Sequence, residues 1–159
     1  MKGRTMKILV LSDSHGKEGY VYDIMRANTD VNAVIHLGDG EDDMGLALAE
    51  LPAFRNKPVY QVRGNCDPEG LPQCRFENIG GFRFYITHGH MQQVKYGKFK
   101  LLGDARKMDR NVVLFGHTHS QFLEEYDGTW LFNPGAVVNL NYGVISINEA
   151  KHEIGFEHF

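Results

Sequence analysis

The segment Asn111-Val112-Val113-Leu114-Phe115-Gly116-His117-Thr118-His119 contains the structural unit that decides the predicted fold. Its short apolar run is typical of a β-strand that is buried on both faces. A glycine ends the run, and two histidines follow where the strand leaves the sheet. Histidine titrates near neutral pH and is a common metal ligand, so an ordinary core has little reason to hold two of them here. We therefore predict a strand that presents functional side chains at its carboxyl end.

Four more segments repeat this unit of an apolar run followed by a polar loop. The runs and the polar residues that follow them are 7–11 with Asp13 and His15, 33–37 with Asp39, 59–62 with Asn65, and 82–86 with His88. Amphipathic helices are predicted over residues 19–28, 41–51 and 96–108. In the last of these helices, Phe99, Leu102 and Ala105 are expected on the buried side.

The order of these elements predicts the fold class. Strands and helices alternate in the first half of the chain, whereas a hairpin over residues 74–86 and short strands after residue 122 make the second half rich in β-structure. The sequence therefore predicts an α/β protein, also classed as α+β in some schemes. The expected architecture is a four-layer α/β/β/α sandwich of two mixed β-sheets flanked by helices.

Composition narrows the functional classes. The 159 residues carry a formal net charge of -3, and 42% of them are hydrophobic, which fits one ordinary globular domain. No broad basic face is indicated, so nucleic acid is not the expected partner, although bound metal ions would attract a small phosphate-bearing substrate. The sequence has no apolar segment of bilayer-spanning length and no recognisable signal, so we expect a cytoplasmic protein without a membrane partner.

The polar residues at the strand ends are expected to converge, because function gathers outside the carboxyl ends of strands in helix-covered sheets. Asp13 and His15, like His117 and His119, are two residues apart, so each pair is expected to project to one side of an extended backbone. The predicted metal ligands are Asp13, His15, Asp39, Asn65, His88, His117 and His119.

Seven ligands exceed what one tetrahedral ion requires but suit two ions that share a carboxylate. Asp39 is the natural bridge, since it is the one acid that stands alone at its strand end. Because all seven donors are nitrogen or oxygen, they indicate a reactive centre rather than a cysteine-rich structural zinc site. Two divalent ions are expected as cofactors, with Mn placed first and Ni, Fe, Zn or Co as alternatives.

These motifs resemble, in order and spacing, those of the calcineurin-like metallophosphoesterases, and in particular the small cap-less YfcE-like phosphodiesterase branch. The motifs are Asp13-x-His15, Gly38-Asp39, Gly64-Asn65-Cys66-Asp67, Thr87-His88-Gly89-His90, Gly116-His117-Thr118-His119 and Asn133-Pro134-Gly135. The resemblance covers nearly the whole chain. It implies that residues 1–159 form a single metallophosphoesterase domain with two mixed sheets between helices.

The resemblance also implies roles for individual residues. One metal would be held by Asp13, His15, Asp39 and His119, and the second by Asp39, Asn65, His88 and His117. Asp39 and Asn65 would act in catalysis, and Asn65 and His90 would contact the substrate. The implied reaction is hydrolysis of a phosphodiester, or of a phosphomonoester, in a small substrate by attack of a metal-bridging hydroxide.

One departure from the family pattern bears on mechanism. Many relatives have histidine after the Gly-Asn pair, but this chain has Cys66. A thiol is a poorer acid near neutral pH than an imidazolium, so protonation of the leaving oxygen is expected to be weak. Substrates with good leaving groups should then be favoured.

Other interpretations stay open at this point. Taken singly, Asp39 could be a turn former and His15 a solvated loop residue. His36, His152 and His158 are interpreted as structural. The same small fold also resembles a protein-binding scaffold of membrane-coat assemblies, in which the ligand set is incomplete; the complete set here favours the enzyme. A homo-oligomer in which a neighbouring subunit completes the substrate pocket is a further hypothesis.

Overall fold

The computed structural model describes residues 4–159, apart from the side chain of Glu41. The strands are β1 (Thr5–Leu11), β2 (Ala33–His36), β3 (Val59–Gln61), β4 (Cys74–Ile79), β5 (Phe82–Thr87), β6 (Val112–Leu114), β7 (Phe122–Tyr126), β8 (Thr129–Asn133), β9 (Gly143–Asn148) and β10 (Glu153–His158). The helices are α1 (Glu18–Ala27), α2 (Glu41–Glu50) and α3 (Phe99–Lys107), with short 3₁₀ helices at Pro52–Phe54, Val94–Tyr96 and Val137–Asn139.

The strands form two mixed sheets. The first has the order β10-β9-β1-β2-β3, in which β1, β2 and β3 run parallel and β9 runs antiparallel to β1. The second has the order β4-β5-β6-β8-β7, in which β5, β6 and β8 run parallel. Within it, β4 and β5 form the predicted antiparallel hairpin. Each sheet therefore has a parallel centre whose strands end at one common edge.

The two sheets pack face to face. Alternate residues of β1 divide between the layers, as expected for a strand: Ile8 and Val10 lie in the cluster shared with the second sheet, and Leu9 and Leu11 face the helices. The shared cluster also includes Ile35 of β2 together with Phe84, Ile86, Leu114 and Phe132 of the second sheet. Burial of these side chains is the main force that holds the sheets together.

Helices cover the outer faces of both sheets. Val21, Ile24 and Met25 of α1 and Met44 and Ala47 of α2 pack on the first sheet. Leu101, Leu102 and Ala105 of α3 pack on Tyr85, Val113 and Leu131 of the second. The predicted four-layer α/β/β/α sandwich is therefore confirmed.

The start of α3 differs from the prediction. The helix begins at Phe99 rather than at residue 96, and the Phe99 side chain, expected in the core, is 91% exposed. Its buried stripe is formed by Leu101, Leu102 and Ala105. Phe99 is about 200° around the helix from Leu101 but about 60° from Leu102, so it lies at the margin of the buried stripe, and at the first residue of the helix its side chain is left in solvent.

The loops that follow β1, β2, β3, β5 and β6 meet at one edge of the sandwich. The N–H of Asp13 donates to the carbonyl of Gly38 at 3.0 Å, and the N–H of Gly116 donates to the carbonyl of His88 at 2.9 Å. These bonds fix the loops of neighbouring strands to one another, so the polar residues they carry form one site. None of the helices in residues 4–159 has the length and apolarity needed to cross a bilayer.

Candidate metal centre

Two clusters of potential metal ligands lie at this edge. The outer cluster consists of Asp13, His15 and His119, and the inner cluster of Asp39, His88 and His117. In each cluster the ligand atoms lie within 4.8 Å of one another. The structure thus brings six of the seven predicted ligands into two groups, and it places His117 and His119 in different groups, as the family resemblance implied.

The outer cluster joins two exposed imidazoles to one buried carboxylate. The Nε2 atoms of His15 and His119 are 3.2 Å apart. The Oδ1 atom of Asp13 lies 3.2 Å from Nε2 of His119 and 3.5 Å from Nε2 of His15. The side chains of His15 and His119 are 31% and 40% exposed, whereas Asp13 is fully buried. This cluster therefore opens to solvent.

The inner cluster is more deeply buried. Nε2 of His88 lies 3.2 Å from Oδ2 of Asp39 and 3.2 Å from Nδ1 of His117. The seventh predicted ligand, Asn65, is brought here too, with its Oδ1 3.0 Å from the same Nε2 atom. Nδ1 of His88 lies 2.8 Å from the carbonyl of Leu37, which fixes the ring and leaves Nε2 directed at the cluster.

The two clusters are adjacent through Asp39 and Asp13. Nε2 of His15 lies 3.8 Å from Oδ2 of Asp39, and Nε2 of His88 lies 3.9 Å from Oδ1 of Asp13. Asp39 is therefore within reach of imidazoles from both clusters. Ligand atoms around one ion, at bond lengths of about 2.0–2.2 Å, lie roughly 3–3.5 Å from one another. The separations within the clusters fit that range.

Both carboxylates have one oxygen anchored and one directed at imidazoles. Oδ2 of Asp13 accepts hydrogen bonds from the Ser12 hydroxyl and from the N–H of His117. Oδ1 of Asp39 accepts from the N–H of Cys66 at 2.8 Å. Oδ1 of Asp13 is buried and accepts no hydrogen bond from the described residues. A buried carboxylate oxygen in that state is costly unless a cation is bound beside it, so the site fits a divalent metal.

The backbone at the ligands is strained. Of the ten non-glycine residues with positive φ among residues 4–159, five are predicted ligands: Asp13, His15, Asp39, His117 and His119, with φ between 44° and 67°. The expectation of an extended backbone at the two ligand pairs is therefore wrong. A left-handed backbone costs free energy at a non-glycine residue, and residues in this conformation concentrate at functional sites. The left-handed turns aim each side chain individually, which alternation along a strand could not do.

Two glycines allow the loops to approach the carboxylates. A Cβ atom at Gly64 would overlap the side chain of Asp39, and one at Gly116 would overlap Ser12 and crowd Asp13. Any larger residue at these positions would displace the carboxylate it faces. The glycines of the predicted motifs are thus explained by close packing around the ligands.

Two further buried polar residues, Asp67 and His36, hydrogen-bond to the loops that carry the predicted ligands. Asp67 accepts hydrogen bonds from the N–H groups of Asp39, Gly40 and Gly64 at 2.7–2.9 Å, which holds the two loops together. His36 is buried; its Nδ1 accepts from the N–H of Gly38, and its Nε2 contacts the Ser14 hydroxyl at 3.1 Å. This buried position agrees with the prediction that His36 has a structural role.

The electrostatics of the inner cluster favour positive charge. Burial would raise the pKa of Asp39, but the hydrogen bond and charge of His88 hold it well below its usual range. Burial likewise opposes protonation of His88, yet Asp39 and Asp13 raise the pKa of His88 overall. Burial and the charge of His88 lower the pKa of His117 to about 4, so His117 is neutral and able to donate a lone pair at neutral pH.

His90 lies beside the inner cluster, with its ring centroid 5.4 Å from that of His88 and 6.1 Å from that of His117. Its Nδ1 atom is buried and has no hydrogen-bond partner in the described chain. Burial, with the charge of His88, lowers the pKa of His90. The residue is therefore a neutral imidazole adjacent to the centre.

The sequence argument placed Cys66 next to Asn65 at the centre but did not predict its approach to His15. Its thiol forms a third group with His15 and Asp39, with ligand atoms within 4.8 Å of one another. Burial and the charge of Asp39 raise the pKa of Cys66, so the thiol stays protonated at neutral pH. Cys66 also lines a cleft of about 250 Å³ that runs from the centre past Gly16, Asp42, Asp43 and Pro68. Because this contact depends on how the loops after β2 and β3 meet, the sequence carried no signal for it.

The fold and these clusters define a metal-dependent phosphoesterase. The chain belongs to the calcineurin-like phosphoesterase superfamily, whose domain model matches residues 6–147. Members of this family use divalent metals, and the predicted class of enzyme, a metal-dependent hydrolase of phosphate esters, is confirmed.

Relatives agree with this placement. The probable metallophosphoesterase YsnB of Bacillus subtilis is 31% identical over 134 residues, which cover 83% of this chain and 75% of the relative. A phosphodiesterase of Methanocaldococcus jannaschii is 29% identical over 166 residues, covering 89% of this chain and 90% of the relative.

Solved structures are similar over nearly the full length. An archaeal phosphodiesterase superimposes with a TM-score of 0.73 at 25% identity, covering 97% of this chain and 100% of its own. Vacuolar protein sorting 29 of Cryptosporidium parvum superimposes with a TM-score of 0.72 at 19% identity, covering 98% of each chain, which shows a shared fold alone.

Proposed function

We propose that this chain is a dinuclear-metal phosphodiesterase that hydrolyses a phosphodiester bond in a small substrate. The observation that carries the proposal is the position of Asp39, whose carboxylate lies near imidazoles of both clusters, 3.2 Å from His88 and 3.8 Å from His15. One carboxylate between two ligand groups is the arrangement that two neighbouring ions require. The similarity to phosphodiesterases supports diesters over monoesters.

In this proposal the outer ion is held by Asp13, His15, His119 and Asp39, and the inner ion by Asp39, Asn65, His88 and His117. Mn stays the first candidate because carboxylate and amide oxygens suit it, and Ni, Fe, Zn or Co are the alternatives, of which Ni, Fe and Zn are suited to imidazole nitrogens. When bound, two divalent ions lower the pKa of the attacking water and stabilise charge on the phosphoryl oxygens.

The protein's own residues then position the substrate. Asn65 is exposed beside the inner cluster, and its amide nitrogen is directed to Cys66, so it lies at the surface that a phosphoryl group would approach. His90, neutral and adjacent to the inner cluster, is placed to donate or accept a hydrogen bond at a phosphoryl oxygen. Cys66 is a weak acid, so the leaving oxygen receives little help from the protein.

The test is a metal-reconstitution assay. Chelator-treated protein would be loaded separately with Mn, Ni, Co, Zn and Fe, and each preparation assayed with bis(p-nitrophenyl) phosphate and p-nitrophenyl phosphate. We expect about two ions per chain by mass spectrometry and faster turnover of the diester. His152→Ala, which changes a histidine remote from both clusters, is the matched control and should retain full activity.

The competing function is a protein-binding scaffold, which the shared fold with vacuolar protein sorting 29 brings into consideration. A scaffold has no need of a buried carboxylate oxygen aimed at three imidazoles, so the geometry favours the enzyme. Absence of hydrolysis with every metal, together with a stoichiometric partner in pull-down experiments, would establish the scaffold instead. Light scattering on the active preparation would decide whether a second copy completes the pocket.

A further inference from the structure

Two aromatic side chains next to the metal centre are almost completely exposed. Tyr96 is 93% exposed and Phe99 is 91% exposed, and Met91 beside them is 57% exposed. Neither aromatic ring stacks on another ring within residues 4–159. Exposed apolar side chains clustered in this way mark a binding surface more often than an accident of folding.

The segment that carries them is fastened to the loop of His88 and His90. The N–H groups of Gln92 and Val94 donate to the carbonyl of Gly89, and the N–H of Gln93 donates to that of His90. The N–H of Tyr96 in turn donates to the carbonyl of Gln93 at 2.9 Å. Val94 is fully buried and packs directly against Gly89. A short series of backbone hydrogen bonds therefore joins Tyr96 to the loop that carries His88 and His90.

An open surface cavity of about 180 Å³ is lined by Gln92, Gln93, Tyr96, Gly97, Phe99 and Lys100. The Gln92 amide is already hydrogen-bonded to Tyr85 and Thr87, so the exposed Gln93 side chain supplies the amide that can meet a ligand. Lys100 is held in place because its Nζ donates to the carbonyl of Met91 at 3.0 Å. Gln93 has a left-handed backbone with φ of 54°, and its side chain is exposed. Amides beside aromatic faces are the groups that recognise the edges and faces of nucleobases.

The positive charge around the cavity limits which ligands it can bind. Lys95 and Lys100 give this surface two positive charges, whereas the Nζ atom of Lys98 lies 5.0 Å from the centroid of the Phe122 ring. Two copies of the chain meeting through this face would oppose these charges, which disfavours a symmetric dimer here. A ligand that carries both a flat aromatic group and a phosphate satisfies the rings and the lysines together. The charge of Lys95 also contributes to the lowered pKa of His117, so this lysine lies within electrostatic range of the inner cluster.

We propose that the cavity lined by Tyr96 and Phe99 binds the nucleobase of a nucleotidyl phosphodiester whose phosphate lies at the metal centre. This inference rests on the proposed phosphodiesterase function and names its substrate class. Base–aromatic stacking tolerates any base, so the site is expected to accept several nucleotides. A single stacked nucleotide needs no broad basic face, which agrees with the net charge of -3.

The test compares two substrates that share the leaving group. Thymidine 5′-(p-nitrophenyl phosphate) and methyl p-nitrophenyl phosphate are both diesters that release p-nitrophenolate, but only the first carries a nucleoside. With the metal-loaded full chain, Tyr96→Ala and Phe99→Ala should each raise KM for the thymidine ester about tenfold. KM for the methyl ester should change less than twofold, and Tyr96→Phe should restore the wild-type value.

Tyr20→Ala is the matched control, because Tyr20 is also exposed beside a lysine, Lys17, but lies on α1. It should leave both KM values unchanged. Equal KM values for the two esters in every variant would overturn the nucleobase site while leaving the phosphodiesterase intact. Failure to hydrolyse either ester would instead overturn the phosphodiesterase. A change of oligomeric state in Tyr96→Ala, seen by light scattering, would assign this surface to contacts between copies and refute the proposal.

Discussion

The outer and inner clusters contain the same types of ligand in different surroundings. In the outer cluster the imidazoles of His15 and His119 are 31% and 40% exposed, whereas in the inner cluster His88 is fully buried and oriented by the carbonyl of Leu37. A buried, oriented ligand loses little freedom on binding a metal and is screened little by water. In the proposed dinuclear centre, the inner position would therefore hold its ion more tightly, and the outer position would leave its ion open to solvent and substrate.

The largest effect should follow from Asp39→Asn, because Asp39 serves both clusters. Loss of its charge removes a ligand from each ion, and metal-assisted catalysis supplies several kcal/mol, so kcat/KM on bis(p-nitrophenyl) phosphate should fall by about 10³ or more. Asp23→Asn, the same change at an exposed position of α1, is the matched control. Retention of more than a tenth of the activity by Asp39→Asn would show that Asp39 does not bridge.

A second prediction separates the clusters directly. His117→Ala should weaken the inner ion and His119→Ala the outer one, because each histidine belongs to a different group. Loss of a partner that merely supports a ligand already costs 10–100-fold in metal affinity, so loss of the ligand should cost at least about 100-fold at its own position. Metal titration by calorimetry would measure both positions. Equal depletion of one shared ion in both variants would show that the two histidines bind together.

Acid should destabilise the metal-free protein through His36, which lies behind the inner cluster. Burial lowers the pKa of His36 to about 4, although the carboxylates of Asp13, Asp67 and Asp43 oppose the shift and His88 adds to it. Below pH 6.5, His36 is therefore protonated in the unfolded chain but stays neutral in the native state. Its contribution to the free energy of unfolding is fully present above pH 6.5 and is lost as the pH falls toward 4. Between pH 6.5 and pH 5 the contribution is about 2 kcal/mol, or roughly 30-fold in the unfolding equilibrium.

Urea unfolding at pH 7 and pH 5 would measure this effect. His36→Gln should be less stable at pH 7, since the packing around Ser14 and Gly38 changes, but its stability should fall less steeply toward pH 5. Burial also lowers the pKa values of His90 and His117, so the informative quantity is the difference in slope between His36→Gln and wild type. Identical slopes would show that His36 does not contribute.

The smallest effect concerns Cys66, at the rim of the outer cluster. Cys66→His should raise turnover of diesters with poor leaving groups at least about tenfold relative to bis(p-nitrophenyl) phosphate, because an imidazolium protonates the leaving oxygen more readily than this thiol does. Cys66→Ser removes the thiol without adding an acid and should leave the ratio unchanged. If Cys66→His leaves it unchanged as well, weak acid catalysis does not explain the leaving-group preference.

Much of the fold was predictable from the sequence because short apolar runs and helical periodicity are local signals. The run before Gly116 identified a buried strand, and parallel strands that end at one edge necessarily bring their loops together. The exposure of Phe99 was not predictable in this way, because its spacing from Leu102 and Ala105 fits the buried face and only the tertiary structure shows that its side chain is uncovered.

At the metal centre, the residue types and their order along the chain indicated which side chains belong together. The left-handed backbone at Asp13 and His119 did not show in the sequence, since neither residue type requires it. The three hydrogen bonds accepted by Asp67 and the approach of Cys66 to His15 depend on distances between loops of different strands. Such contacts are set by tertiary packing and have no local signature.

The strained backbone at the predicted ligands affects how such a site could be lost in evolution. Five ligand residues occupy the left-handed region, where a non-glycine side chain costs roughly 1–2 kcal/mol. Glycine at any of these positions would relieve the strain, so in the proposed enzyme metal binding is the function that offsets this cost. In a descendant that no longer needs catalysis, replacing these residues by glycine would raise the stability of the fold. The strained turns would therefore favour early loss of the metal site.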